Sequence, residues 1–347
     1  MRWPLRWVVT IPFLVVTTAA TGLVGYLSFR NGQQSVQVVA QQLQTEIAKR
    51  VEIELRDFLD FAPKLVAMNA DLARQNLLQA QPPRGESYLW RQMTLQPQLR
   101  VIYFGSAQEG RFIGVRRRIE DNSLRLYFNT GVEFTLNEQG QRAVQVSGID
   151  PNMRYDARTR PWYKKALTQP TPVWSDVYVS FSTGRLIITA AQVVKTPQGR
   201  VLGATGADVE LTRLSEFLSG LAIGRTGEAF IVDPQGLLVA DSTGSAMSVI
   251  QNRERVNASD SPHPLIQQAA RWLQSSQQGK QPTPQPVQVE LGGEAHFLHA
   301  VPYRDPRGLD WLLVLVVPAA DFLQEIYAGN TLTAFLCGVT LVVALGV

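Results

Sequence analysis

Residues 155–166 read YDARTRPWYKKA, residues 173–180 read VWSDVYVS and residues 203–208 read GATGAD. Pro161 disfavours the α region for the residue before it, so Arg160 is predicted to be extended, with a helix starting just after it. A guanidinium there presents two parallel N–H groups to a carboxylate, and the Trp162 indole and a tyrosine hydroxyl add further donors. In the second stretch Tyr178 and Ser180 share one strand face, with Val177 and Val179 on the other. Asp208 closes a strand of small apolar residues, where a carboxylate calls for a cationic partner. An anion clamp, aromatic walls and a buried carboxylate together describe a pocket for a zwitterion. The same residues also fit a packed core closed by an ion pair of Arg160 with Asp208 or Asp156, and their pattern alone leaves both open.

Around this cluster the chain alternates strands with tight turns. Thr196-Pro-Gln-Gly199, Asp233-Pro-Gln-Gly236 and Asp305-Pro-Arg-Gly308 each suit a type I turn, with Pro setting φ at the second position and Gly at the fourth. Hydrophobic strand candidates such as 187–194 and 311–317 flank them, which predicts hairpins of antiparallel sheets. The order of elements repeats. Strands at 101–104 and 112–116, a helix near 162–167 and strands near Val173, Leu186 and Val201 form one set. Strands at 229–232 and 237–240, a helix at 264–273 and strands near Val287, His296 and Leu312 form the other. A short amphipathic helix at 211–220 connects them, and the Gln/Pro-rich stretch 275–286 is predicted to be a surface loop inside the second set.

Ahead of the sheets, Val36, Val39, Leu43, Ile47, Val51, Leu55 and Phe58 recur every three or four residues. This predicts one amphipathic helix continuing to about Asn69, either a dimerising stalk or a helix lying along a folded domain. Residues 7–29 carry no charge, and their length exceeds the roughly 20 residues that a membrane helix needs. Arg2 and Arg6 precede them, which keeps the N-terminus cytoplasmic and exports the chain beyond the span. A second uncharged run, 330–347, returns the chain to the cytoplasm and suggests a longer protein with a cytoplasmic part. Lys and Arg number 33 against 29 Asp and Glu. Setting Arg2, Arg6 and Arg30 aside with the first span leaves 30 basic residues of the 33 against the same 29 acidic ones. The excess reports orientation in a bilayer and implies no nucleic-acid partner. The single cysteine, Cys337, permits no intrachain disulfide, and with three histidines a Cys/His metal site is excluded. His296 and His299 fall on opposite faces of a strand and read as ordinary surface or core side chains.

The motifs YDARTRPWYKKA and VWSDVYVS, GADVEL at 206–211 and GRTGEAFIVDPQGLLVADS at 224–242 resemble the double-Cache (dCache) ectodomain of bacterial transmembrane receptors, over about residues 30–325. The resemblance implies an α+β fold: a long N-terminal helix and two PAS-like (Cache) modules with antiparallel sheets, flanked by two transmembrane helices. The implied divisions are 1–29 for a cytoplasmic tip and first transmembrane helix, 30–75 for the stalk helix, and 76–212 for a membrane-distal module holding the pocket. Residues 213–325 form the membrane-proximal module and 326–347 the second transmembrane helix. In the amino-acid-binding subset an Arg and a Trp of an R-x-W-Y motif, preceded by a Tyr, hold the ligand carboxylate, while a Tyr and two Asp hold its ammonium. Carried over, this implies Tyr155, Arg160, Trp162 and Tyr163 on the carboxylate side and Tyr178 and Asp208 on the amine side. Ser180 stands where that subset carries the second Asp, so it accepts a hydrogen bond without contributing charge.

No P-loop, GxSxG elbow, HExxH or spaced carboxylate pair supports catalysis, and no cofactor or metal is assigned. Arg116-Arg117-Arg118 fits either an anion patch or a solvated strand end, and because alternate strand residues face opposite sides it reads as the strand end; Asp233 and Asp241 read as Asx-type turn formers. The expected function is the periplasmic, ligand-sensing part of a membrane signal-transduction receptor that binds a small metabolite, by resemblance an amino acid. It is expected to act as a homodimer and to signal to a cytoplasmic output, on family frequency a histidine kinase. The alternatives are a nucleotide cyclase sensor, a methyl-accepting chemoreceptor and a ligand-free structural or protein-interaction module.

Overall fold

The computed structural model describes residues 5–148, 155–180, 183–244, 249–251, 254–275 and 285–322. The helix α1 (Leu5–Arg74) is followed by β1 (Gln79–Ala80), β2 (Pro83–Arg84) and α2 (Glu86–Leu95). Next come β3 (Leu99–Ser106), β4 (Phe112–Arg117), β5 (Leu124–Phe128), β6 (Glu133–Leu136) and β7 (Arg142–Ser147). The helix α3 (Pro161–Ala166) leads to β8 (Val173–Trp174), β9 (Tyr178–Val179), β10 (Leu186–Lys195) and β11 (Val201–Glu210). The connector α4 (Thr212–Ser219) precedes β12 (Glu228–Val232), β13 (Leu238–Asp241), β14 (Ile250–Gln251) and β15 (Glu254–Arg255). The described chain closes with α5 (Pro264–Ser275), β16 (Val287–Leu291), β17 (Glu294–Asp305) and β18 (Leu309–Pro318).

Two main sheets result. The first runs β7-β6-β5-β4-β3-β11-β10-β8, with β9 also paired to β10, and the second runs β13-β12-β18-β17-β16. Their ladders are antiparallel, as the turn chemistry predicts. In the three Pro-containing turns the glycine N–H donates to the carbonyl three residues back, Gly199 to Thr196 at 2.9 Å, Gly236 to Asp233 at 2.9 Å and Gly308 to Asp305 at 3.0 Å. Each of these glycines has positive φ, 85°, 79° and 108°, which a side chain would resist. Strands β5 to β7 extend the first sheet beyond the sequence expectation. Most of their residues are half-buried or exposed, although β5, LRLYF, is rich in apolar and aromatic side chains.

The N-terminal helix is continuous, but its buried stripe differs from the one expected. Val39 is 57% exposed and Leu43 39% exposed, while Ala40, Gln44, Ala48, Val51, Leu55, Leu59, Ala62, Val66 and Asn69 are buried. Alanines let the helix approach the sheets closely. The polar members of the stripe are paired: Gln44 Nε2 donates to the Phe297 carbonyl at 3.0 Å, and Asn69 and Gln92 exchange amide hydrogen bonds at 2.9 and 2.8 Å. Gln44 therefore ties α1 to the second sheet, and Thr205 Oγ1, donating to the Val66 carbonyl at 2.9 Å, ties it to the first.

Side-chain alternation then divides the first sheet. Ile102, Phe104, Ile188, Ala207 and Val209 pack in the core shared with α1, while Val101, Tyr103, Phe112, Ala191 and Ala204 pack with Trp162 and Tyr163 on the other face. His296 and His299 are both buried, in β17. Among the described residues no helix is long and apolar enough to cross a membrane. The side chains of much of 7–29, all of 330–347 with Cys337, and most of the stretch 275–286 lie outside the described residues.

Candidate ligand-binding pocket

The backbone around the decisive motif is the one proline chemistry dictates. Arg160 is extended at φ −79° and ψ 147°, and α3 begins at Pro161. Trp162 and Tyr163, in the first turn, are buried at 1% and 3% exposure. The Trp162 ring lies 4.7 Å from Tyr103, and Phe112 lies within 5.0 to 5.1 Å of Tyr103, Tyr127 and Tyr155, centroid to centroid. This aromatic wall encloses a cavity of about 130 Å³.

Six of the seven residues singled out in the sequence line that cavity: Tyr155, Arg160, Trp162, Tyr178, Ser180 and Asp208. Tyr163 does not; it stands behind Trp162 with ring centroids 5.4 Å apart and supports the wall. The Arg160 guanidinium lies over the Tyr155 ring, 5.4 Å from its centroid. Asp156 is engaged by Arg158, whose Nη2 lies 2.6 Å from its Oδ2, so the ion pair considered between Arg160 and Asp156 is replaced by a local one.

Asp208 is 7% exposed and takes its hydrogen bonds from hydroxyls. Tyr103 donates to Oδ1 at 2.7 Å and Thr189 donates to the same oxygen at 2.7 Å. Register explains both. Thr189 is directly opposite Asp208 across β10 and β11, and Tyr103 is opposite Gly206, whose missing side chain leaves room for the phenol ring to lie across β11 toward Asp208. A Cβ on Gly206 would stand 2.2 Å from the Tyr103 ring. The Thr189 proton is committed to the carboxylate, so Tyr178, 2.8 Å away, donates to Thr189.

These contacts do not fully replace water. Burial pushes the Asp208 carboxyl up from 3.8 to about 6, opposed by the Tyr103 and Thr189 hydrogen bonds and by the Arg160 charge. Burial also raises the tyrosines. Tyr155 is pushed up to about 12 and Tyr103, Tyr127 and Tyr178 rise well above their ordinary value, so all four remain proton donors.

Sequence reasoning missed Tyr103 and Thr189, which lie 105 and 19 residues from Asp208. It also misjudged Arg116. Rather than ending a strand in solvent, Arg116 lines the cavity, pairs with buried Glu133 and lies over the Tyr127 ring, 5.4 Å from its centroid. β5 and β6 bring these partners to it, and neither strand is among those expected from the sequence. Asp233 is an Asx turn former as expected, accepting from the Gln235 and Leu237 N–H groups at 3.0 Å each, and it also pairs with Arg255 at 2.5 Å. Asp241 accepts from the Thr243 N–H at 2.9 Å but is fully buried at the end of β13.

A larger cavity, about 480 Å³, lies against the second sheet and α5. Its charged residues are mutually satisfied, Asp233 by Arg255 and Arg304 by Asp310 at 3.2 Å. The smaller cavity is lined by both the Arg160 guanidinium and the hydroxyl-bound Asp208 carboxylate.

The dCache_1 family model, described as a Cache domain, matches residues 31–326. The chain belongs to the Cache domain family. Solved Cache relatives share its fold: the ligand-binding domain of the Pseudomonas aeruginosa amino acid chemoreceptor PctC in complex with GABA has TM-score 0.52 and 20% identity, covering 80% of this chain and 99% of that one. The domain of the Campylobacter jejuni chemoreceptor Tlp3 in complex with L-norvaline has TM-score 0.56 and 12% identity, covering 84% and 95%. Among curated proteins, the methyl-accepting chemotaxis protein PscA of Pseudomonas syringae is 35% identical over 85 residues, 24% of this chain and 13% of that protein. Adenylate cyclase 1 of Rhizobium meliloti is 28% identical over 170 residues, 48% of this chain and 24% of that protein. The matched region thus spans no more than a quarter of either of these two curated relatives.

Proposed function

We propose that this Cache domain is the extracytoplasmic sensor of a membrane receptor and that the first-sheet cavity binds an amino acid or a closely related zwitterion. One observation carries the reading: a single small cavity presents the Arg160 guanidinium and the buried Asp208 carboxylate together, with Asp208 held by hydroxyls. Arg160 takes the ligand carboxylate, with the Tyr155 hydroxyl and Trp162 indole beside it. Asp208, Tyr178 and Ser180 take the ammonium, and Tyr163 fixes Trp162. At about 130 Å³ the cavity is below the roughly 300 Å³ of drug-sized sites and suits a small amino acid. Relatives solved with GABA and with L-norvaline are consistent with this ligand class.

The proposed divisions are 1–29, 30–75, 76–212, 213–325 and 326–347, with a membrane helix at each end. A helix of 23 residues rises about 35 Å, enough for a bilayer core of about 30 Å. Val15, Val16, Leu23 and Val24 are exposed apolar side chains within the first uncharged stretch, which suits lipid. Val38, Val39 and Ile53 are exposed on α1 at 57% to 59% and suit a homodimer contact. For the output, matches to chemotaxis proteins and an adenylate cyclase favour a chemoreceptor first and a cyclase second over a histidine kinase. The test of the ligand reading is thermal unfolding of the purified chain against all common amino acids, with Arg160→Ala alongside. A saturable rise in the wild type that vanishes in Arg160→Ala supports it; an equal rise in both rejects it.

A further inference from the structure

Where β4, β3, β11 and β10 meet the connector α4, a cleft of about 340 Å³ opens. Arg100, Arg117, Arg118, Arg185 and Arg213 line it, against two carboxylates, Glu210 and Glu216. Glu210 is already shared: Arg100 Nη2 and Arg185 Nη1 both lie 2.5 Å from its oxygens. Arg118 turns outward to Glu120, with Nε 3.2 Å from Oε2. Two cations are left over. Arg117, half-buried, donates through Nη2 to the Met93 carbonyl, and Arg213 is exposed in the first turn of α4. Among the described residues neither has a carboxylate within ion-pair distance.

Placing guanidinium groups together without counter-charge costs free energy unless something else supplies the charge. The strain is visible at Arg117, whose guanidinium is pushed down first by burial and then by the neighbouring charges of Arg100 and Arg213. α4 also starts at this cleft without a side-chain cap and without an acidic residue in its first turn, so its dipole adds positive potential.

We propose that this cleft is a second ligand site, separate from the aromatic pocket, and that it takes a phosphate-type oxyanion, either free or carried on a small organic monoester. Guanidinium forks match tetrahedral oxyanions, and Arg117 and Arg213 are the side chains with donors to spare. Arg185 and Glu216 also line the adjoining cavity, which reaches Val239, Val249 and Ile250 of the second sheet's region. An anion bound to Arg117 and Arg213 therefore fastens the end of β4 to the connector between the sheets, and both domain halves feel it.

The test is thermal unfolding of the purified chain at constant ionic strength, titrated with inorganic phosphate, with glucose 6-phosphate and with chloride. A saturable rise with either phosphate, absent with chloride, is expected, and Arg213→Gln and Arg117→Gln each weaken it at least tenfold. Tighter binding of glucose 6-phosphate than of phosphate assigns an organic monoester, and equal binding assigns the free ion. Arg213 is exposed, so its substitution tests the site even where Arg117→Gln disturbs folding. No saturable effect beyond that of chloride, or undiminished phosphate affinity in Arg213→Gln, overturns the proposal.

Discussion

Replacing Asp208 by Asn is expected to stabilise the ligand-free protein while destroying ligand binding. The carboxyl is raised from 3.8 to about 6, and at about 1.36 kcal/mol per pH unit this corresponds to roughly 3 kcal/mol. The sign comes from proton linkage. Between those two values the folded protein holds a proton that the unfolded chain has lost, so stability falls as pH rises through the interval and the full cost is present above about pH 6. Asn removes the ionisation and keeps an oxygen able to accept from Tyr103 and Thr189. Asp208→Asn should therefore unfold at a temperature roughly 5 to 10 °C higher at pH 7.5, with the gap falling to roughly half its free energy by pH 5. Paired thermal scans at these pH values measure it. A variant no more stable than the wild type at pH 7.5, or a gap that does not shrink at pH 5, refutes the claim that burial of the ionised Asp208 carboxylate costs more than its hydroxyl partners and Arg160 return.

Other perturbations probe the neighbouring contacts. Arg160→Ala should lose roughly 2 to 5 kcal/mol of ligand affinity by titration calorimetry if, as proposed, the guanidinium pairs with a desolvated ligand carboxylate. Affinity for an ammonium-bearing ligand should fall with decreasing pH below about 6, as Asp208 takes up its proton; a flat profile from pH 7.5 to 5 contradicts that role. Tyr103→Phe removes a donor to Asp208 and should move the midpoint of this profile upward, with an affinity loss of about 1.5 to 3 kcal/mol. Gly206→Ala puts a methyl group 2.2 Å from the Tyr103 ring, and it should cost about 1 to 3 kcal/mol of stability in chemical denaturation and weaken binding as the phenol moves.

How much of this was legible depended on where partners lie along the chain. The three Pro/Gly turns, the hairpins they close and the extended Arg160 ahead of α3 are local events, and their residues announce them. Tyr155, Arg160, Trp162, Tyr178 and Ser180 were found through one motif and one strand, whereas Tyr103, Phe112, Arg116 and Tyr127 complete the lining from β3, β4 and β5. What binds Asp208 was not legible, because Tyr103 reaches it only through the pairing of β3 with β11 and the absence of a side chain at Gly206. Arg116 was misjudged for the same reason: its carboxylate, Glu133, arrives on β6, a strand of half-buried residues. On α1 the apolar period pointed to Val39 and Leu43, whereas the helix turns Ala40, Gln44 and Ala48 inward. Close approach favours alanine, and a buried amide is tolerated once it reaches a backbone carbonyl.

Recognition of both ends of a zwitterion is tested most directly by titrating the purified chain with a matched trio: the best-binding amino acid, the amine lacking its carboxylate and the acid lacking its amine. Arg160 and Asp208 acting on opposite ends predict measurable binding of the amino acid alone, with each truncated analogue weakened at least a hundredfold. Binding of either analogue as tightly as the amino acid would contradict it.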